Sequence, residues 1–277
     1  MVSQAERDTL RDLGRQLAQE AAGQDRTAKA ELWRRNNDRD PVRPMVWITE
    51  IPWHELAAKD DFLHCRCEDR FLREIEEGLR QQLYQWRHFP VDMILDDCVF
   101  YPQAWYSSEI GLNVNEDTLQ QHEQGGIVSH HYKAQISEPE DIEKIQMPEV
   151  RRLDEETEQR RATLEVNFEG VIPVRMRGIR HIWFTPWDRL YTLVDMTEMM
   201  YDMIERPDFV NALVSRYVDS LTHELDQFEA LGLLQCDPTN IRVGSGAYAY
   251  SKDLPVDAAK DRPTRCSDIW GCGNAQI

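Results

Sequence analysis

Residues 91–104, VDMILDDCVFYPQA, constrain the fold of this chain more than any other stretch. Val91, Met93, Ile94 and Leu95 make an apolar run whose length suits one buried strand. The run meets two adjacent acids, Asp96 and Asp97, and five residues later Pro102 stops regular structure. An apolar strand with carboxylates at its C-terminal end is how an α/β barrel presents its chemistry, because the loops there converge on one open face. A turn at the end of a strand accounts for the same residues, since aspartate readily bonds backbone groups in turns.

Other segments extend this pattern. PMVWIT (44–49) is rich in β-branched and aromatic residues and reads as a buried strand, and RHIWF (180–184) reads as a further strand. Leu10, Leu13 and Leu17 predict an amphipathic helix over about 4–22, stopped by Gly23. Phe71, Ile75, Leu79 and Leu83 predict another over 68–86, which would complete a β-α-β unit between 44–49 and 91–95. Charged residues 151–166 read as a solvated helix, and 196–205 as a helix before Arg206-Pro207. A long helix follows, from Val210 to Leu231, with Gly232 as its stop. Ser137-Glu-Pro-Glu140 is a capping-box pattern, and Gly125-Gly126 precedes a segment, IVSHHYKAQI, that reads as an extra hairpin strand.

Charge narrows the function classes. Against 32 basic residues stand 50 acidic ones, a net of −18, which disfavours nucleic acid and anionic lipid but not a small anionic ligand in a local pocket. No apolar run reaches the ~20 residues of a membrane helix. The polar start MVSQAERDTL lacks the apolar core of a signal peptide, so six cysteines read as reduced thiols in a cytoplasmic protein. His64-Cys65-Arg66-Cys67 is the one local cluster with zinc-ligand residue types. No second half follows at zinc spacing, so it reads as the lead-in to helix 68–86. His130 and His131 are adjacent on a strand and face opposite ways, so they do not share one metal.

Asp97 followed by CVFYPQA resembles the Asp-x-x-x-x-Pro-Gln-Ala segment after the second barrel strand of the uroporphyrinogen decarboxylase superfamily. ISEPEDIEKIQMPEV resembles that family's acidic helical connector, ERPDFV and the long helix after it resemble its third α-unit, and Phe184, Pro186 and Trp187 match an aromatic strand exit. The resemblance implies a (β/α)8 TIM barrel, of which about four strands (44–49, 91–95, 180–184 and 266–270) are present. It implies a helical extension over 1–40, a partial barrel over 41–277, and a chain that is the N-terminal part of a longer protein. An open half-barrel exposes two sheet edges, so association, including a homodimer, is expected. By carry-over Asp97 is the catalytic residue, the one that engages pyrrole nitrogens in the decarboxylases. Asp96, Glu50, His54, Trp187, Tyr191, Asp268 and Trp270 are expected to line the substrate pocket.

The family's decarboxylases carry substrate-holding arginines after the first strand, whereas EIPWHEL (50–56) has none, and a polycarboxylate needs paired cations. The resemblance therefore implies first a methyltransferase working with a corrinoid and a thiol or methylated small molecule. Uroporphyrinogen decarboxylase is the alternative, and a non-catalytic truncated barrel the third. No cofactor is expected in this chain itself; zinc and a corrinoid would belong to the longer protein, with a corrinoid protein as partner. No nucleic-acid or membrane partner is expected.

Overall fold

Helices form where apolar residues recur at three- and four-residue spacing, and strands are short and few. The computed structural model describes residues 2–120, 128–243, 247–257 and 261–273, and the chain is a mixed α/β protein. In chain order the first elements are α1 (Gln4–Ala22), α2 (Arg26–Asn37), α3 (Trp53–Ala57), α4 (Arg70–His88), β1 (Val99–Pro102) and β2 (Trp105–Ser107). Next come β3 (Glu116–Gln120), β4 (Val128–Tyr132), β5 (Val150–Arg152), α5 (Asp154–Phe168), β6 (Val174–Arg177) and β7 (His181–Phe184). The remainder are α6 (Pro186–Leu190), α7 (Met196–Glu205), α8 (Pro207–Ala230), β8 (Arg242–Val243), β9 (Ala247–Tyr248) and β10 (Trp270–Gly273). Gly125-Gly126 and residues 244–246 lie outside the described residues. Among the described residues no helix is long and apolar enough to cross a membrane.

Two compact units divide the chain. The first comprises Met1–Ala104, Leu153–His181 and Gln235–Trp270. Its helix α1 starts with a capping box in which Ser3 and Glu6 satisfy each other's backbone N–H groups. The buried stripe Leu10, Leu13 and Leu17 packs with Leu72, Leu79 and Leu83 of α4 and Leu164 and Phe168 of α5. A Cβ at Gly14 would lie 2.9 Å from Phe168 Cδ1, so the glycine permits this close approach. Helix α1 is thus a layer of the core of this unit. Strands β1 and β6 pair in parallel, Val99 opposite Val174 and Tyr101 opposite Met176, with α5 leading into β6.

The expected strand 180–184 is present as β7, but four other expectations need correction. Segment 44–49 forms no strand; it is tied by the Asp92 N–H to the Val46 carbonyl (3.1 Å) and by Gln85 Nε2 to the Ile48 carbonyl (2.9 Å). Segment 91–95 is buried from Met93 to Leu95 yet pairs with no strand, because side chains occupy its backbone groups; the strand begins instead at Val99. The β-α-β unit expected between them is accordingly absent, and the parallel pair is β1 with β6. Residues 266–268 form a 3-10 turn because Asp268 accepts the Arg265 N–H, and the strand begins at Trp270.

The second unit comprises Trp105–Arg152, Ile182–Leu234 and Gly271–Ile277. Strands β2 and β5 are antiparallel, and β3 and β4 form the hairpin that IVSHHYKAQI suggested, with Thr118 opposite His130. Both His130 and His131 are exposed. The 137–140 pattern caps a 3-10 turn, Pro139–Lys144, in which the Asp141 carboxylate accepts the N–H groups of Ser137 and Glu138, so the capping acid is Asp141. Leu190, Leu193, Val194 and Met199 pack on Phe209, Val210 and Leu213 of α8, which ends before Gly232 in the left-handed region (φ 65°).

Leu17→Ala is expected to lower stability by about 2–5 kcal/mol in urea unfolding, as for other fully buried leucines. Ile204→Ala, at a side chain that is 82% exposed, is expected to stay within about 0.5 kcal/mol.

Candidate functional site

The polar site of the first unit grows from the backbone of residues 92–97. A buried peptide run without a neighbouring strand must find partners for its carbonyls elsewhere. Here side chains supply them. Trp33 Nε1 donates to the Asp92 carbonyl (2.8 Å), Lys29 Nζ to Met93 (3.0 Å), and Asn240 Nδ2 to Ile94 (2.8 Å). Gln24 takes both groups of Leu95, donating to its carbonyl (2.8 Å) and accepting its N–H (3.1 Å). Arg26, Lys29 and Trp33 lie three and four residues apart, so one face of α2 serves the whole run.

The run delivers Asp96 into the interior, 5% exposed, and leaves Asp97 at the surface. Asp96 is held by Arg26 Nη2 (3.1 Å), Arg177 Nη2 (3.3 Å) and Asn240 Nδ2 (3.0 Å). Tyr250 donates its hydroxyl to Asn240 Oδ1 (2.7 Å), which orients the amide. Arg180 bonds Asp237 (3.1 Å), Thr239 and the Asn240 carbonyl, and so fixes the turn that carries Asn240. Asp97 meets Arg26 Nη1 at 3.1 Å and, more loosely, Arg175 Nη1 at 3.9 Å. Arg175 and Arg177 sit two residues apart on β6 and so share one face. The Arg177 guanidinium also stacks over the Phe100 ring, 3.3 Å from its centroid.

These surroundings drive the two acids apart. Burial raises the Asp96 carboxyl above the usual range despite the charges of Arg177 and Arg26. Burial also acts on Asp97, but the Arg26 hydrogen bond and the charges of Arg26 and Arg175 outweigh it and hold the carboxyl below the usual range. Adjacent carboxyls with opposed shifts suit different tasks: Asp97 is a ready anion at the surface, Asp96 an internal anchor. Four guanidiniums (Arg26, Arg175, Arg177, Arg180) surround three carboxylates (Asp96, Asp97, Asp237), a local cationic excess in a chain of net charge −18.

Of the residues expected in the pocket, Asp96 and Asp97 are brought together, and the others are placed differently. Glu50, in the left-handed region (φ 56°), pairs with Arg242 Nη1 at 2.6 Å, and His54 is an exposed residue of α3. Asp268 is buried and locked by Arg262 at 2.5 and 2.9 Å and by the Arg265 N–H, which hold its carboxyl down at about 2. Trp270 donates its indole N–H to the Ala249 carbonyl (3.0 Å). These two therefore serve local architecture. Trp187 and Tyr191 belong to the second unit, ring centroids 5.8 Å apart, with Trp187 packed on its core.

The arginines are what sequence reasoning missed, since their spacing in the chain carries no signal, although Arg26, Lys29 and Trp33 mark a face of α2. The His64-Cys65-Arg66-Cys67 stretch is structural. Glu76, fully buried, accepts the N–H groups of Arg66 and Cys67 at 2.8 Å each and pairs with Arg80, and burial pushes the Cys67 thiol up to about 12. Among the described residues no three His, Cys, Asp or Glu side chains converge as metal ligands.

Fold and site together define a mixed α/β protein with an arginine-flanked carboxylate pair. No family model, no curated protein and no solved structure matches the chain.

Arg26→Met is expected to raise the Asp97 carboxyl toward its ordinary value, read by carbon-detected NMR titration, and to lower stability by about 2–4 kcal/mol because Asp96 loses a partner. For Asp268 the sign follows from its depressed value. The unfolded chain binds the proton more readily, so this contribution is full above about pH 4 and is lost as pH falls through about 2. Asp268→Asn should remove that part of the pH dependence in acid titrations of urea stability.

Proposed function

We propose that the chain is an enzyme unit of the uroporphyrinogen decarboxylase superfamily that takes a carboxylate-bearing small molecule at Asp97. The observation that carries the reading is the half-exposed Asp97 flanked by Arg26 and Arg175 above the anchored Asp96. The parallel pairing of β1 with β6 across α5 supports a barrel-type arrangement, of which this would be one β-α-β unit. Arg175 is more than half exposed and has only the loose contact with Asp97, so an incoming carboxylate can take it at little cost.

Segment 50–56 has no arginine, which speaks against decarboxylation, but arginines from α2, β6 and the segment after β6 surround the acids instead. They favour porphyrinogen decarboxylation. In that reaction the guanidiniums hold substrate carboxylates, and the ionised Asp97 stabilises the positive charge on a protonated pyrrole before carbon dioxide leaves. Methyl transfer is the second reading, supported by the same carboxylate-binding arrangement for a methylated substrate. A corrinoid on a partner protein would supply the methyl-accepting chemistry, while Arg26 and Arg175 orient the substrate. Zinc finds no fitting ligand set among the described residues, and no step is routed through it.

The purified chain is to be assayed for conversion of uroporphyrinogen and, separately, for demethylation of methylated carboxylic acids with a reduced corrinoid. Activity in either assay, lowered about 100-fold or more by Asp97→Asn and with raised KM in Arg175→Gln, is expected. Activity untouched by both substitutions would overturn the assignment of the site.

A further inference from the structure

The second unit holds a cavity of about 580 Å³, a volume within the range of small-molecule sites. Its apolar walls include Trp105 and Trp183, both 40% or more exposed, together with Phe184. Its acids are Glu109, Asp188 and Glu224, against one guanidinium, Arg189. That guanidinium is engaged, donating to the Leu112 carbonyl at 2.5 Å and lying 3.8 Å from Glu109.

Tyr217 makes this more than an acidic cleft. The residue is 95% buried by its 5% exposure, lines the cavity, and its hydroxyl has no protein partner among the described residues. The ring is buried while the hydroxyl stays accessible, so a group in the cavity can partner it. Burial pushes the phenol up to about 12, so it stays neutral and offers both a donor and an acceptor. Opposite chemistry is fixed in place: Glu109 N–H donates to Ser107 Oγ (3.0 Å), and Ser107 donates to Glu224 Oε1 (2.5 Å). The second oxygen of Glu224 has no donor among the described residues. Aromatic faces, an open carboxylate oxygen and a net charge of −2 from three acids and one arginine favour a cation with an apolar body.

We propose that this cavity is a binding site for a small organic ammonium, seated against Trp105 and Trp183 and held by Glu224 and the Tyr217 hydroxyl. It is independent of the reading of Asp97 and would stand if that reading failed. Choline is the probe, with its uncharged isostere 3,3-dimethylbutanol as control, titrated into the full chain and followed by tryptophan fluorescence and calorimetry. Choline is expected to bind with a dissociation constant of about 1 mM or tighter, about 5- to 30-fold better than the isostere. Trp183→Ala, at an exposed side chain, and Glu224→Gln should each weaken choline about 5-fold or more while the folded circular dichroism spectrum is kept. Equal binding of choline and isostere, no binding of choline at several millimolar, or choline affinity unchanged in Trp183→Ala would overturn the site.

Discussion

A buried peptide run must have its polar groups satisfied, and in the first unit that demand is met by side chains. Helix α2 lays Arg26, Lys29 and Trp33 along residues 92–97, Gln24 clasps Leu95, and Asn240 closes the far side. Each of these bonds alone contributes modestly, but leaving any of those carbonyls buried and unpaired costs about 1–3 kcal/mol. The same contacts place Asp96 inside and Asp97 outside. Backbone satisfaction and site geometry are therefore one feature seen from two ends.

The charge pattern follows from that placement. A buried carboxylate is tolerated only with close partners, and Asp96 has two arginines and an amide. Arg26 extends past it to Asp97, where Arg175 joins it, so a cation that stabilises the interior also sets the field at the surface. The conversion of a structural requirement into a local cationic excess is how a strongly acidic chain offers a place for an anion.

Much of the helical framework was legible. The leucine stripe of α1, the α4 pattern and the long α8 with its glycine stop all follow from periodicity and end signals. Strand β7 was legible too, whereas 44–49 and 91–95 were not, because apolar character reports burial and says nothing of which group will accept each N–H. The two acids of the site were legible from their position after an apolar run. Arg175 and Arg177 were not, since they reach Asp97 and Asp96 only through the parallel pairing of β1 and β6, nor was Arg180, which acts through the turn at Asn240. Glu50, His54, Asp268 and Trp270 were chosen for their places beside expected strands, and where the strand boundary moved, so did their partners.

The dependence of the site on the Arg26–Asp96 contact is most directly measured by a double-mutant cycle, combining Arg26→Met and Asp96→Asn in urea unfolding of the full chain. A coupling of about 2 kcal/mol or more is expected, since removing either partner alone strands a buried polar group. A coupling below about 0.5 kcal/mol would contradict the central role given to this pair.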